Sequence, residues 1–209
     1  APKSSYASYK SMLTDFMSYV NYFTPMIYAA LAVAVALRAG LFNIGVSGQM
    51  LAAGFTASIV VGYSSLNAVL AKPLVVIIGL IVGGLVGALI GFLKYRFNIN
   101  EVVSSIMLNY TFQYVISFFI NTFFVDPVSR QSKEISAASR LTLMDTMVGN
   151  LKMDIPLGII LALLTVVAVW FLLEKTKLGY ELKAVGYSRS AAEYGGINSK
   201  RVFLLSMSL

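Results

Sequence analysis

Five stretches of the chain carry no Asp, Glu, Lys or Arg, and each is long enough, or nearly long enough, to cross a bilayer. The stretches are residues 16–37, 39–71, 73–93, 102–125 and 155–173. A helix rises about 1.5 Å per residue, so roughly 20 apolar residues span the hydrocarbon core of a membrane. Because a buried helix of a soluble protein seldom runs so long without a charge, the sequence predicts an all-α fold, a polytopic transmembrane helix bundle.

Composition supports a multi-pass protein of the cell membrane and narrows its chemistry. Hydrophobic residues make up 58% of the chain, and it contains no Cys and no His. These absences exclude disulfides and thiolate metal sites, and they remove the commonest metal ligand. The net charge of +7 is explained better by loops beside anionic membrane lipid than by nucleic acid, because a basic stripe on a soluble face is missing.

The chain is expected to hold about five full spans and the start of a sixth. Eight mostly apolar residues, 202–209, follow Arg201. Such a run is too short to span a bilayer and is interpreted as the first turns of a further helix, with a short docked tail as the alternative. We therefore expect residues 1–209 to be a fragment of a longer membrane protein.

The Lys and Arg residues fall into two groups if successive loops alternate between the two sides of the membrane. One group has nine members and the other has seven, and six of the nine lie within 174–201. Positive residues near span ends favour the cytoplasmic side. We therefore predict that 94–101 and the loop 175–200 are cytoplasmic and that 126–153 is an extracellular loop, in which a short interfacial helix over 135–147 is a possibility.

The second apolar region, 43–63, does not begin as a plain helix. The segment from Gly40 to Gln49, which overlaps the start of this region, contains three glycines together with Asn43 and Ser47. Glycine weakens a helix, and lipid cannot satisfy irregular backbone, which is tolerated only where protein or a water-filled cavity covers it. The segment is interpreted either as a broken helix that lines a pathway or as an ordinary turn between two spans, with helix packing by the small residues as a third possibility.

Two later spans carry regular patterns with a four-residue repeat. Small residues recur at Gly79, Gly83, Gly87 and Gly91, which predicts a groove for close helix packing and, less directly, a substrate contact. In the span 102–125, polar residues recur at Ser105, Asn109, Gln113, Ser117 and Asn121. Polar side chains facing the interior of a bundle mark either a solute route or hydrogen bonds between helices, and the sequence leaves both open.

Three blocks of sequence, in this order, resemble one known family. The first runs from Arg38 to Gln49, the second from Asn100 to Tyr110, and the third from Thr176 to Ile197. Together they resemble the permease subunits of ATP-binding-cassette (ABC) importers, in the branch for nucleosides and simple sugars, beside the branched-chain amino acid permeases. Ser47 stands where the nucleoside-type pattern usually carries Glu, which puts a charged substrate contact there in doubt.

The resemblance implies a division of labour among several proteins. Residues 1–209 would be a partial transmembrane permease domain that pairs with a second permease subunit, while cytosolic ATP-binding-cassette ATPase subunits hydrolyse ATP and an extracellular substrate-binding protein delivers the solute. This subunit is not expected to be an enzyme or to bind a cofactor, since the phosphate-binding motif G-x-x-x-x-G-K-[ST] is missing. The loop 175–200 would couple the ATPase to the membrane helices.

The candidate residues follow from these two roles. Uncharged polar groups within apolar spans can meet the donors and acceptors of a nucleoside, and these pathway candidates are Asn43, Ser47, Gln49, Asn109 and Gln113. In the loop, small residues can lie against a partner and basic residues can pair with acidic ones. The coupling candidates are Gly179, Tyr180, Lys183, Ala184, Gly186 and Arg189.

Other classes of membrane protein fit the sequence less well. An ion-coupled secondary transporter of small polar solutes needs ionisable groups inside its spans, and the five stretches have none. An intramembrane enzyme needs a nucleophile or a metal set. Without His or Cys, a Ser/Lys pair is the main option left, and no Lys lies inside a span. The secondary transporter is therefore kept as the alternative.

Overall fold

The structure is a computed structural model that describes residues 3–64, 67–125, 142–148, 151–156 and 158–209. Its elements in chain order are α1 (Lys3–Arg38), α2 (Val46–Ala57), α3 (Ala68–Phe97), α4 (Glu101–Phe119), β1 (Thr142–Val148), β2 (Leu151–Pro156), α5 (Gly158–Lys175), α6 (Lys177–Tyr187), α7 (Arg189–Tyr194) and α8 (Ser199–Ser208). Helices α2 and α4 each continue into a turn of π-helix, over Ser58–Gly62 and Ile120–Phe124.

In the part of the chain that the structure describes, four helices are long and apolar enough to cross a membrane. They are Asp15–Arg38, Ala68–Phe97, Glu101–Phe124 and Gly158–Lys175. The predicted all-α bundle of a multi-pass membrane protein is thereby confirmed. The remaining predicted span, region 43–63, is a shorter apolar helix over Val46–Gly62, because its first residues form irregular backbone instead of helix.

A β-hairpin stands outside the spans. Strand β1 pairs antiparallel with β2, with Val148 opposite Leu151 and Thr142 opposite Pro156. The interfacial helix considered for 135–147 is wrong over 142–147, which are strand, and 135–141 lie outside the described residues. Thr142, Thr146 and Val148 are β-branched, which favours extended backbone over helix.

The segments that were grouped by charge meet at one end of the bundle. The guanidinium of Arg38, at the end of α1, lies 3.9 Å from the carboxylate of Glu174, at the end of α5. Lys94 of α3 lies 2.8 Å from the carboxylate of Glu101, at the start of α4. Lys200, at the start of α8, lies 4.8 Å from the ring centre of Tyr95, near the end of α3. The loop between α1 and α2, the α3–α4 connection and the α6–α7 pair therefore lie at one end of the bundle.

Helix α8 packs along the glycine groove of α3. A Cβ atom on Gly87 would overlap the carbonyl of Met207, and one on Gly91 would come within 2.6 Å of the carbonyl of Phe203. Phe203 and Met207 are buried there with Ile90. The packing role predicted for the groove is confirmed at Gly87 and Gly91, and the predicted helix after Arg201 is confirmed over 202–208.

The other end of the groove is open in this structure. Among the described residues, no atom lies within 4 Å of a Cβ placed on Gly79 or Gly83, apart from the glycine's own neighbourhood. Close helix packing therefore requires glycine at only part of the repeat among the described residues.

Candidate functional site

The chain between α1 and α2 is irregular and partly buried. Helix α1 ends where Gly40 adopts a left-handed conformation, with φ of +72°, and the amide of Leu41 donates to the carbonyl of Ala36 at 3.0 Å. This is the usual glycine-terminated end of a helix. Leu41 and Asn43 are buried whereas Gly40 and Phe42 are exposed, so protein covers part of this irregular segment, which we call the broken helix.

Asn43 is a buried residue whose side chain fixes the backbone just before α2. Its side-chain oxygen accepts a hydrogen bond from the amide of Gly45 at 2.8 Å, directly before α2 begins. With 2% of its surface exposed, Asn43 is occupied by the chain's own backbone. It shapes the broken helix instead of facing an open space.

Asn109 bridges α4 to the broken helix. Its amide nitrogen donates to the carbonyl of Ile44 at 2.9 Å, and its oxygen accepts from the amide of Gly48, also at 2.9 Å. The amide of Gly48 is among the first amides of α2, which have no carbonyl partner within the helix, and Ile44 precedes the helix. The polar residues that recur every four positions in the span 102–125 had two interpretations. For Asn109, the structure shows hydrogen bonding between elements.

Of the other three pathway candidates, one side chain makes a hydrogen bond to another helix and two are exposed. The amide nitrogen of Gln49 donates to the carbonyl of Met207 in α8 at 3.3 Å. Ser47 on α2 and Gln113 on α4 are both exposed. The structure therefore does not bring all five candidates to one surface, since three hold backbone together and two face open space.

The contacts of Asn109 lead to a prediction about stability. Asn109→Leu leaves the carbonyl of Ile44 and the amide of Gly48 without their partner, which should cost about 1–3 kcal/mol. We expect a lower melting temperature of the purified protein in detergent. Gln113→Leu is the matched control, because it removes the same amide from an exposed position of the same helix. Equal melting temperatures for the two variants would contradict the bridging role.

Three coupling candidates in α6 hold the loop to its own chain. Gly179 is buried where a Cβ atom would overlap the carbonyls of Leu172 and Leu173, and a Cβ on Gly186 would overlap the carbonyl of Arg38. Lys183 donates to the carboxylate of Glu174 at 2.7 Å. The glycines allow close contacts with the chain's own backbone, a reason for their small size that the sequence pattern did not show.

Arg189 is also paired within the chain. Its guanidinium donates to the carboxylate of Glu193 at 3.0 Å and lies 5.3 Å from the ring centre of Phe203. The hydrogen bond from Arg189 lowers the pKa of Glu193. Arg189 therefore links α7 to the start of α8.

The outward surface of the loop is formed by aromatic and small residues. Tyr180 and Ala184 line a groove of about 440 Å³ between α6 and α7. Tyr187 lines it too, and Tyr187 and Tyr194 have 92% and 95% of their surface exposed. The sequence reasoning missed these two tyrosines, although an aromatic residue at the end of a short polar helix, beside small residues, is a usable signal of a contact surface.

Comparison with known proteins decides the family. The profile of the family described as "Branched-chain amino acid transport system / permease component" matches residues 16–209. The chain belongs to this family. The resemblance recognised from the three sequence blocks is thereby confirmed, and the chain is a membrane permease component.

The curated relatives of this permease include carriers of two kinds of solute. It is 39% identical over 192 residues to the nucleoside ABC transporter permease protein NupB of Lactococcus lactis subsp. cremoris, covering 88% of this chain and 52% of the relative. It is 37% identical over 190 residues to the guanosine ABC transporter permease protein NupP of Bacillus subtilis, covering 90% and 54%. It is 30% identical over 187 residues to the glucose ABC transporter permease protein TsgB13 of Haloferax volcanii, covering 86% and 49%.

The permease thus spans about half the length of the curated relatives it matches. No solved structure matches the chain.

Proposed function

We propose that this permease is a membrane-spanning subunit of an ABC importer that moves nucleosides into the cell. The supporting observation is the pair of relatives named for nucleoside and guanosine transport, at 39% and 37% identity. A simple sugar is the second candidate, favoured by the relative named for glucose at 30% identity. An ion-coupled secondary transporter is not favoured, because the relatives are ABC permeases.

The proposed transporter needs partner proteins that supply energy and deliver the substrate. ATP would be hydrolysed on a separate cytosolic ABC ATPase, a second permease subunit would complete the pathway, and an extracellular binding protein would deliver the solute. This chain would bind no cofactor of its own. Its part is to form one wall of the route and to carry motion from the ATPase to that wall.

The solute route in this proposal runs past α2 and α4. Ser47 and Gln113 are exposed and offer a hydroxyl and an amide to a passing solute. Asn43, Gln49 and Asn109 support this route indirectly, because their side chains hold the broken helix and α8 in place.

Coupling in this proposal starts at the groove of Tyr180 and Ala184. The ATPase would contact this surface, while Lys183 holds α6 to the end of α5 through Glu174 and Arg189 holds α7 against Phe203 of α8. The close approach of Gly186 to Gly40, where a Cβ on Gly40 would lie 3.3 Å from the Cα of Gly186, joins the loop to the broken helix. A displacement of α6 therefore acts directly on the segment that Asn109 holds.

The proposed topology places 175–200 in the cytoplasm and 126–153 outside. The chain contains no Cys, so single cysteines report each side. We expect an impermeant thiol reagent on intact cells to label Ser136→Cys and to label Tyr194→Cys only after the cells are permeabilised. Tyr194 suits this test because it is exposed. The reverse labelling pattern would invert the topology.

Solute class is tested with the cognate binding protein. Its melting temperature would be measured with guanosine, adenosine, uridine, ribose and glucose. The proposal predicts that nucleosides raise the melting temperature, because a ligand that binds only the folded state stabilises it. A rise with glucose or ribose and none with any nucleoside would move the assignment to sugars.

A further inference from the structure

A cavity of about 360 Å³ lies where α2 and α4 change from α-helix to π-helix. Both π-helical turns contribute to it, Ser58–Gly62 through Ser58 and Ile120–Phe124 through Phe124. Turns of π-helix are uncommon and are often found at functional sites. Two of them meeting at one cavity is a feature that the pathway and the loop described above do not explain.

Aromatic rings form one side of this cavity. Tyr63 and Phe124 stack with ring centres 5.4 Å apart and planes 8° from parallel. Phe55 meets Phe124 edge-on, with centres 6.3 Å apart and planes at 90°. A planar guest ring can extend such a stack or lie against its edge, and every nucleobase has the flat π-face that this requires.

Another part of the lining is a face of α2 that leaves room for a small ligand. Met50, Gly54 and Ser58 are four residues apart and line the cavity together. A Cβ atom on Gly54 would meet nothing within 4 Å, so no packing within the described chain requires glycine there. Met50 supplies a thioether that suits aromatic contacts, and Ser58 supplies a hydroxyl.

The cavity continues the proposed solute route. Ser47 precedes Met50 by three residues on α2, and Gln113 precedes Ile116, which also lines the cavity, by three residues on α4. Residues at that spacing are neighbours on a helix surface. The volume falls in the range of about 300–1,000 Å³ usual for small-molecule sites.

We propose that this cavity, lined by Phe55, Tyr63 and Phe124 together with Gly54, is a stacking site for the nucleobase of the transported solute. The inference rests on the proposed function and adds a place for the solute's aromatic ring. It gives the permease a means of preferring nucleosides over sugars that lack a planar ring.

A single cysteine tests occupancy directly. In the complete transporter, with both permease subunits, the ATPase and the loaded binding protein, Gly54→Cys should react with a maleimide during ATP turnover. Guanosine should slow this labelling about ten-fold at saturation, and ribose should not. A cysteine that guanosine does not protect, or one that never reacts because lipid or another helix covers it, would overturn the proposal.

A second pair of variants tests the ring itself. We expect Phe124→Leu to lower the initial rate of guanosine uptake about ten-fold, the effect of losing one stacking contact, whereas Phe124→Tyr retains the ring and should retain most of the rate. Assembly with the ATPase, checked by size-exclusion chromatography, should be the same in both.

The outcomes separate the two proposals. If the wild-type transporter carries guanosine and both Phe124 variants do so at its rate, the stacking site is wrong and the proposed function stands. If the wild type carries sugars and no nucleoside, the proposed function fails and the stacking site with it.

Discussion

The Ala184→Trp transporter is expected to take up solute no faster than liposomes without protein. Ala184 is half-buried on the wall of the groove between α6 and α7, and an indole there fills the space that the ATPase would enter. Well-packed contact surfaces tolerate added bulk poorly. Stimulation of ATP hydrolysis by the loaded binding protein should be lost as well, while docking of the binding protein on the other side of the membrane should survive.

The control for this variant is Leu164→Trp. It adds the same ring to an exposed position of α5, a helix that ends before the loop, and uptake should continue. Normal uptake and normal stimulated hydrolysis in Ala184→Trp would reduce 175–200 to a connecting loop and remove the local support for an ATPase contact.

Gly87→Leu is expected to prevent α8 from docking on α3. A Cβ atom at Gly87 would overlap the carbonyl of Met207 and lie 2.6 Å from the side-chain nitrogen of Gln49. The overlap involves backbone, so the two helices must separate, and overpacking of this kind costs about 1–3 kcal/mol even where the surroundings can adjust. We expect little monodisperse protein after detergent extraction, measured by fluorescence-detected size-exclusion chromatography.

Gly83→Leu is the comparison for that result. It lies one turn away on the same groove, where a Cβ would meet no described atom within 4 Å. It should yield more folded protein than Gly87→Leu. A Gly87→Leu variant that extracts as well as the wild type would show that the contact between α3 and α8 is looser than the structure has it.

The helical fold could be predicted from the sequence because charge is costly in lipid. Four of the five uncharged stretches contain the helices that are long enough to span, and the four-residue glycine repeat predicted the contact of Gly87 and Gly91 with another helix. These features are local patterns, readable without knowing which elements meet. The hairpin over β1 and β2 was missed because its segment has weak periodicity of any kind.

The division among the polar candidates could not be predicted in the same way. Asn109 bonds to Gly48, 61 residues away, and Gln49 bonds to Met207, 158 residues away. Whether an amide serves the solute or the backbone depends on such distant partners. The four-residue spacing of the polar residues in α4 identified a helix face. It could not say which of these side chains already hydrogen-bond to the chain's own backbone.

The aromatic cavity was hidden for a similar reason. Phe55, Tyr63 and Phe124 are ordinary residues of apolar segments in a chain with 13 Phe and 12 Tyr. Only the packing of α2 and the residues after it against the end of α4 brings these three rings to one place.

Transport energetics test the central claim most directly. The complete transporter would be reconstituted in proteoliposomes with ATP enclosed and the loaded binding protein outside, and guanosine accumulation would be followed over time. The account predicts accumulation above the external concentration with ATP, none with ADP, and no change when proton and sodium gradients are abolished. Accumulation in ADP-filled vesicles driven by an ion gradient would contradict it and would establish a secondary transporter instead.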